Sequence, residues 1–217
     1  MQQFQKIGGI AALIEAGTFI IGFWVYVTML GPAGYTSTLI DTTRKVSFLV
    51  ENKTFMYVWY LIIYVLFGIM LVVLALSLDE RLKENTPILA RLSTAFGLIW
   101  AGLVIASGMV ANIGTAAVVN LYGIDQAQAV ALWHVLDFVV NGLGGGNEIV
   151  GGLWIVLISK AASCKQSLPG PLNILGYIIG IAGMLTTIPL LAMLGAVFGL
   201  GLIVWFIWIG VVLLRTH

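Results

Sequence analysis

The chain has 217 residues, 60% of them hydrophobic and only 9% charged, with a mean hydropathy of +1.07; soluble domains carry about a quarter charged residues, so this composition belongs in a bilayer. The net charge is only +1 and no basic run alternates with aromatics, which excludes a nucleic-acid partner. Cys164 stands alone, which excludes an internal disulfide, and no Cys/His spacing suits zinc.

A transmembrane helix needs roughly 20 predominantly apolar residues. Six apolar runs separated by polar or Pro/Gly-bearing breaks predict spans at about 7–30, 55–78, 88–121, 127–159, 172–188 and 194–214. The first continues past the length of a cleaved signal core into Trp24 and Tyr26, so it reads as an uncleaved span. Between the first and second spans the loop from Gly31 to Thr54 has room for a short interfacial helix around Val46–Val50. The third and fourth runs exceed one membrane thickness and predict tilt or extension beyond it. The fifth is the shortest, bounded by Pro171 and Pro189. The fold class is an all-α, polytopic bundle forming a single domain over 1–217.

Lys6, Arg81, Lys83, Arg91, Lys160, Lys165 and Arg215 flank one side of the six-span arrangement, and Arg44, Lys45 and Lys53 the other. The positive-inside bias predicts cytoplasmic termini in a plasma membrane. The connections from Ser77 to Pro87 and from Ser159 to Pro169 have equal length, a faint internal repeat relating spans two and three to spans four and five.

Several features in order carry a resemblance. They are Lys6-Ile7-Gly8-Gly9 opening the first span, Glu51-Asn52-Lys53-Thr54-Phe55 closing the long loop, and Gly151-Gly152-Leu153-Trp154 before an apolar helix end. The connection from Lys165 to Pro171 then leads into Ile174-Leu175-Gly176. In these the chain resembles, over nearly its whole length, the bacterial six-span membrane family designated domain of unknown function 4386. The resemblance implies the six-span architecture and no activity. Between His134 and Gly151 the glycine-rich stretch makes the spacing longer than in the family, so no family histidine is carried over to His134.

Ionisable groups within spans cost at least ~2.5–3.5 kcal/mol at a helix centre, so they mark functional candidates. Here they are Glu15, His134, Asp137 and Glu148. On span four His134, Asp137, Asn141, Gly144, Glu148 and Gly152 recur at helical spacing, which predicts one polar, small-residue face turned to the bundle interior, opposite apolar Val135, Val139 and Leu143. The glycines of 141-NGLGGGNEIVGGLW-154 admit two readings. One is close helix packing through Gly142/Gly146 on span four and Gly102/Gly108 on span three. The other is a locally unwound segment at Gly144–Gly146 lining a cavity, beside Asn147 and Glu148.

Pairing spans three and four about a turn near residues 124 and 125 puts Asn112 level with Asp137, and a contact between them is expected. Glu15 and Glu148 lie roughly 14 and 18 Å of helix from Lys6 and Lys160, so they share a layer. With no Lys or Arg inside a span to neutralise them, a proton held by Glu148 or shared with Glu15 is the expectation if they face each other. No cofactor is expected. His134 is the sole span histidine, which excludes bis-histidine haem within one chain, and a metal at His134 and Asp137 has no suitably spaced third ligand. No nucleophile elbow, His-Glu-x-x-His, phosphate loop or dinucleotide fingerprint occurs, so the balance is against an enzyme.

Three functions remain: a small-molecule- or proton-handling bundle with Glu148, Glu15, Asp137, His134, Asn112, Asn141 and Asn147 lining a polar interior; a non-catalytic subunit whose polar face binds another membrane protein or a second copy; and an intramembrane enzyme. Expected partners are the bilayer, a small-molecule ligand, and a membrane protein or homo-oligomer. The position of span four, central or on the rim, separates the first two.

Overall fold

A computed structural model describes residues 2–34, 42–145 and 148–215. The chain is an all-α bundle. Helix α1 (Gln2–Val25) ends in a widened π turn, Tyr26–Leu30, and α2 (Thr42–Glu51) is a short helix in the long loop. The second span comprises α3 (Lys53–Tyr60), a π segment Leu61–Leu66 and α4 (Phe67–Leu82), and the third is the continuous α5 (Pro87–Tyr122). The fourth is divided into α6 (Gln126–Val140), a π segment Asn141–Gly145 and α7 (Ile149–Cys164). Helices α8 (Gly170–Leu185) and α9 (Leu194–Leu214) complete it. Among the described residues five helical stretches are long and apolar enough to cross a membrane, and Gly170–Leu185 is a shorter apolar helix. The expected runs match these elements to within a few residues, and the loop helix forms with Val46 and Leu49 fully buried. This is an integral, multi-pass membrane protein.

In the half of the bundle nearer the termini, α1 packs on α4, α4 on α5, α5 on α7, α7 on α8, α8 on α9, and α9 back on α1, closing a ring. Small residues set its tightness, because between apolar helices it is close van der Waals fit that drives association. A methyl group at Gly152 of α7 would fall 2.5 Å from the carbonyl oxygen of Gly180 on α8, and one at Gly9 of α1 would fall 2.9 Å from that of Gly210 on α9. Between α5 and α7 the fit is reciprocal: Trp154 of α7 lies over Gly97 of α5, and Trp100 of α5 over Gly151 of α7.

The ring is filled by aromatic side chains in a closed circuit. Phe67 meets Trp100 at 5.3 Å between centroids, Trp100 meets Trp154 at 5.7 Å, and Trp154 meets Trp205 at 5.7 Å. Trp205 meets Phe206 at 5.6 Å, which returns to Phe67 at 6.1 Å. All five side chains are buried. Aromatic pairs in such edge-to-face and tilted arrangements contribute about 0.5–1.5 kcal/mol each beyond their burial.

A second apolar core lies in the half opposite the termini. Val46 and Leu49 of α2, Met56 and Tyr60 of α3, Val118 of α5 and Trp133 of α6 pack together in it. Helix α6 packs on α5 and α2 and belongs only to this second core, whereas α7 sits in the ring between α5 and α8. Span four is therefore central in one half of the membrane and peripheral in the other. The change of neighbours is made at the glycines.

Candidate ligand cavity

The hinge of span four is Gly144, with φ +151° and ψ 10°. That backbone region is open to glycine and strained for any L side chain. Gly144 lies against Val104 of α5 and interrupts the helix at mid-bundle. The unwound reading of the glycine stretch therefore holds at Gly144, while Gly146 and Asn147 lie outside the described residues. The packing reading fails for the pairs expected: Gly142 and Gly102 have no neighbouring atom within 4 Å of where a side chain would start. Gly108 is in close contact, but with Tyr64 of the second span, where a methyl group would fall 2.6 Å from its Cβ.

Interruption of the helix also breaks the phase of its polar face. His134, Asp137 and Asn141 are exposed, whereas Glu148 is partly buried and Gly152 buried. The expectation of one continuous stripe turned to the interior is corrected accordingly. The i, i+3, i+7 spacing holds within α6, but α6 and α7 are separate helices with different neighbours, and only the α7 end of the stripe faces inward.

The pairing of Asn112 with Asp137 also does not form. No hydrogen bond joins them, and Asn112 Oδ1 is buried without a partner. The register behind the expectation is right: Ser107 bonds to Val140 and Gly114 receives the side chain of Leu136, about the anticipated turn. These residues lie on one face of α5, and Asn112 points elsewhere, into a groove of about 320 Å³ shared with Lys53, Tyr57, Thr115 and Asn120.

Where the two cores meet, a cavity of about 470 Å³ remains, a size common for small-molecule sites. It lies in the half opposite the termini, since its walls come from the later part of α1, the start of the second span and the segment joining α8 to α9. Helix α1 contributes Phe19, Phe23 and, just past its end, Tyr26. The second span contributes Trp59 and Tyr64. Phe67 and Trp100, two members of the aromatic circuit, also line it, so that side of the circuit forms its floor.

Among the described residues Glu148 is the one charged residue on this wall. It immediately precedes α7, and its backbone N–H donates to the Thr186 hydroxyl oxygen at 3.3 Å, while that hydroxyl donates to the Gly183 carbonyl at 2.7 Å. Its own carbonyl accepts from the Gly152 N–H at 2.8 Å, starting α7. Thus the backbone of Glu148 is tied to α7 and α8, and its carboxyl stands at the cavity beside the open end of the interrupted helix. Tyr64 lies within electrostatic reach of Glu148 and of Asp137.

Glu15 is fully buried in α1, and neither carboxyl oxygen has a hydrogen-bond partner. A proton shared in a bond between Glu15 and Glu148 is thereby corrected: Glu15 lies one turn before Thr18, which lines the cavity, and is not on the wall itself. Among the described residues no three His, Cys, Asp or Glu side chains converge as a metal-ligand group. Trp59, Tyr64 and Thr186 were missed by reasoning from charge alone. A readable signal existed on α1, where Phe19, Phe23 and Tyr26 follow i, i+4, i+7 on one helix face.

The chain finds no match among known protein-family models, curated proteins or solved structures.

Proposed function

We propose that this integral membrane protein handles a small molecule or protons through the cavity that ends on Glu148, as a transport or ligand-binding bundle rather than an enzyme. The observation that carries the reading is the junction itself: a span interrupted at Gly144, an aromatic-walled cavity above an aromatic floor, and Glu148 as the one carboxyl among the described lining residues. A carboxylate charge set among apolar groups with no cation on the wall is costly, and a proton or a cationic ligand removes that cost. Discontinuous helices at mid-membrane are a recurrent way of presenting such a group to a cavity. Both termini are read as cytoplasmic from the Lys/Arg distribution, so the cavity opens away from the cytoplasm. Membership of the six-span family that the chain resembles is part of the same proposal and adds no activity to it.

The test is Glu148→Gln in purified, reconstituted protein. Wild type is expected to show protonated-carboxyl infrared absorption at neutral pH and a potential-driven proton flux in proteoliposomes; Glu148→Gln, with folding preserved, should lose the flux and the Glu148 part of that absorption. If the two proteins give the same band and the same flux, proton handling at Glu148 is wrong.

A second reading is supported by the other half of span four. Helix α6 carries exposed His134, Asp137 and Asn141 on the rim, next to exposed Val135 and Phe138. Polar groups on a lipid-facing rim favour hydrogen bonding to another membrane chain or a second copy. A cross-link between cysteines placed at Val135 in two copies separates that role from a purely lipid-facing one.

A further inference from the structure

The chemistry of the cavity wall narrows what it can hold. An aromatic face carries negative quadrupole potential and attracts a cation, and several faces around one space recognise an alkylated ammonium group whose charge cannot be satisfied by hydrogen bonds. Aromatic side chains here come from three spans: Phe23 from α1, Trp59, Tyr64 and Phe67 from the second span, and Trp100 from α5. Among the described residues neither Lys nor Arg lines the space, so an anionic ligand would meet repulsion from Glu148 and from the ring faces. A neutral ligand gains nothing from the carboxyl, which must then keep its proton, whereas a cation takes the proton's place and pairs with the carboxylate. Elsewhere on the wall Gly22, Gly144, Gly195 and Ala196 leave space, Ile63 and Val104 add apolar surface, and Thr18 and Thr186 bring hydroxyl groups.

We infer that the cavity binds a monovalent organic cation, an alkyl- or arylalkyl-ammonium, with the Glu148 carboxylate as counter-charge and the rings of Trp59, Tyr64 and Phe23 around its substituents. The inference rests on the cavity being a ligand site, as proposed above, and adds the ligand's charge and class. The roles of the groups differ. Glu148 selects for charge, the rings select for a large and weakly hydrated cation over a metal ion, and the aromatic floor at Trp100 and Phe67 stops the ligand at mid-membrane.

The experiment uses full-length protein in nanodiscs and two probes of nearly the same shape, benzyltrimethylammonium and its uncharged carbon analogue neopentylbenzene, with binding read by calorimetry and tryptophan fluorescence. Wild type is expected to bind the cation at least tenfold more tightly than the neutral analogue. Glu148→Gln should weaken the cation at least tenfold and change the neutral analogue less than twofold. Trp59→Leu should weaken the cation several-fold, and Trp59→Phe should restore most of it. Should Glu148→Gln fold poorly, Ala196→Trp, which fills the cavity from the first turn of α9, is expected to abolish cation binding on its own. Equal binding of the two probes, or undiminished cation binding in Glu148→Gln, overturns the cation inference while leaving a ligand cavity in place. No binding of either probe to folded wild type also overturns it, and the proton-flux measurement then judges the broader reading separately.

Discussion

The Ser107 hydroxyl donates to the backbone carbonyl of Val140 at 3.1 Å, joining α5 to the last residue of α6 just before the helix changes course. A carbonyl at that position faces a π segment rather than a regular helix, and the serine supplies a second donor where the regular ladder ends. Together with Leu136 seated on Gly114, this bond sets the rotation of α5 against α6 and turns Asn112 away from Asp137.

The first prediction concerns that interface. Ser107→Ala should lower stability in detergent by roughly 0.6–1.5 kcal/mol, the range for a hydrogen bond of this kind in membrane and water. A double-mutant cycle with Asn112→Leu and Asp137→Leu should be additive to within about 0.5 kcal/mol, as for residues that share no contact. A coupling well above that value would restore the direct pair and refute the rotation.

Glycine substitutions should sort by position rather than by residue. Gly151→Val drives a branched side chain into the Trp100 ring, and Gly97→Val does the same to Trp154, so each should lose about 1–3 kcal/mol or more. Gly142→Ala meets open space and should stay within about 0.5 kcal/mol of wild type. Thermal unfolding of the three variants in one detergent decides it, and equal losses would mean the packing distinction is wrong.

Gly144→Ala is expected to cost roughly 1–3 kcal/mol although nothing crowds the site closer than 3.5 Å, because the strain is in the backbone at φ +151°. Its effect on the cavity should exceed its effect on the ring, since a regular helix through 141–148 would swing Glu148 relative to Thr186. Fluorescence of the buried tryptophans compared with ligand or proton binding separates the two.

Thr186→Val removes the acceptor of the Glu148 N–H while keeping the side-chain shape. It should weaken any function of Glu148 several-fold and stability by about 1 kcal/mol, while Thr187→Val, on a neighbouring exposed hydroxyl that bonds only to Met184, should leave both unchanged. Identical behaviour of the two variants would remove Thr186 from the site.

Orientation is tested by cysteine labelling with an impermeant reagent on intact cells. Cysteine at Gly123, in a Cys164→Ser background, should react from outside, and the exposed native Cys164 should be protected. The reverse pattern would invert the topology and point the cavity inward.

What the amino-acid sequence by itself determined is everything that depends on the number and spacing of apolar residues along one chain. The six runs, the short helix around Val46–Val50 and the depth of each polar group follow from the rise of a helix and the solubility of side chains in hydrocarbon. Even the register of α5 against α6 was legible, since a tight turn fixes it. Rotation of each helix about its axis was not, because it depends on which neighbour each face meets: Asn112 and Asp137 share a level but not a side, and no hydrogen bond joins Glu15 to Glu148. The stripe from His134 to Gly152 presumed an unbroken helix, and one backbone angle at Gly144 ended it. The tertiary structure alone decided that Glu148 would stand among aromatic rings drawn from three other spans, because those rings lie far apart in sequence and are brought together only when the glycine-backed ring closes below them.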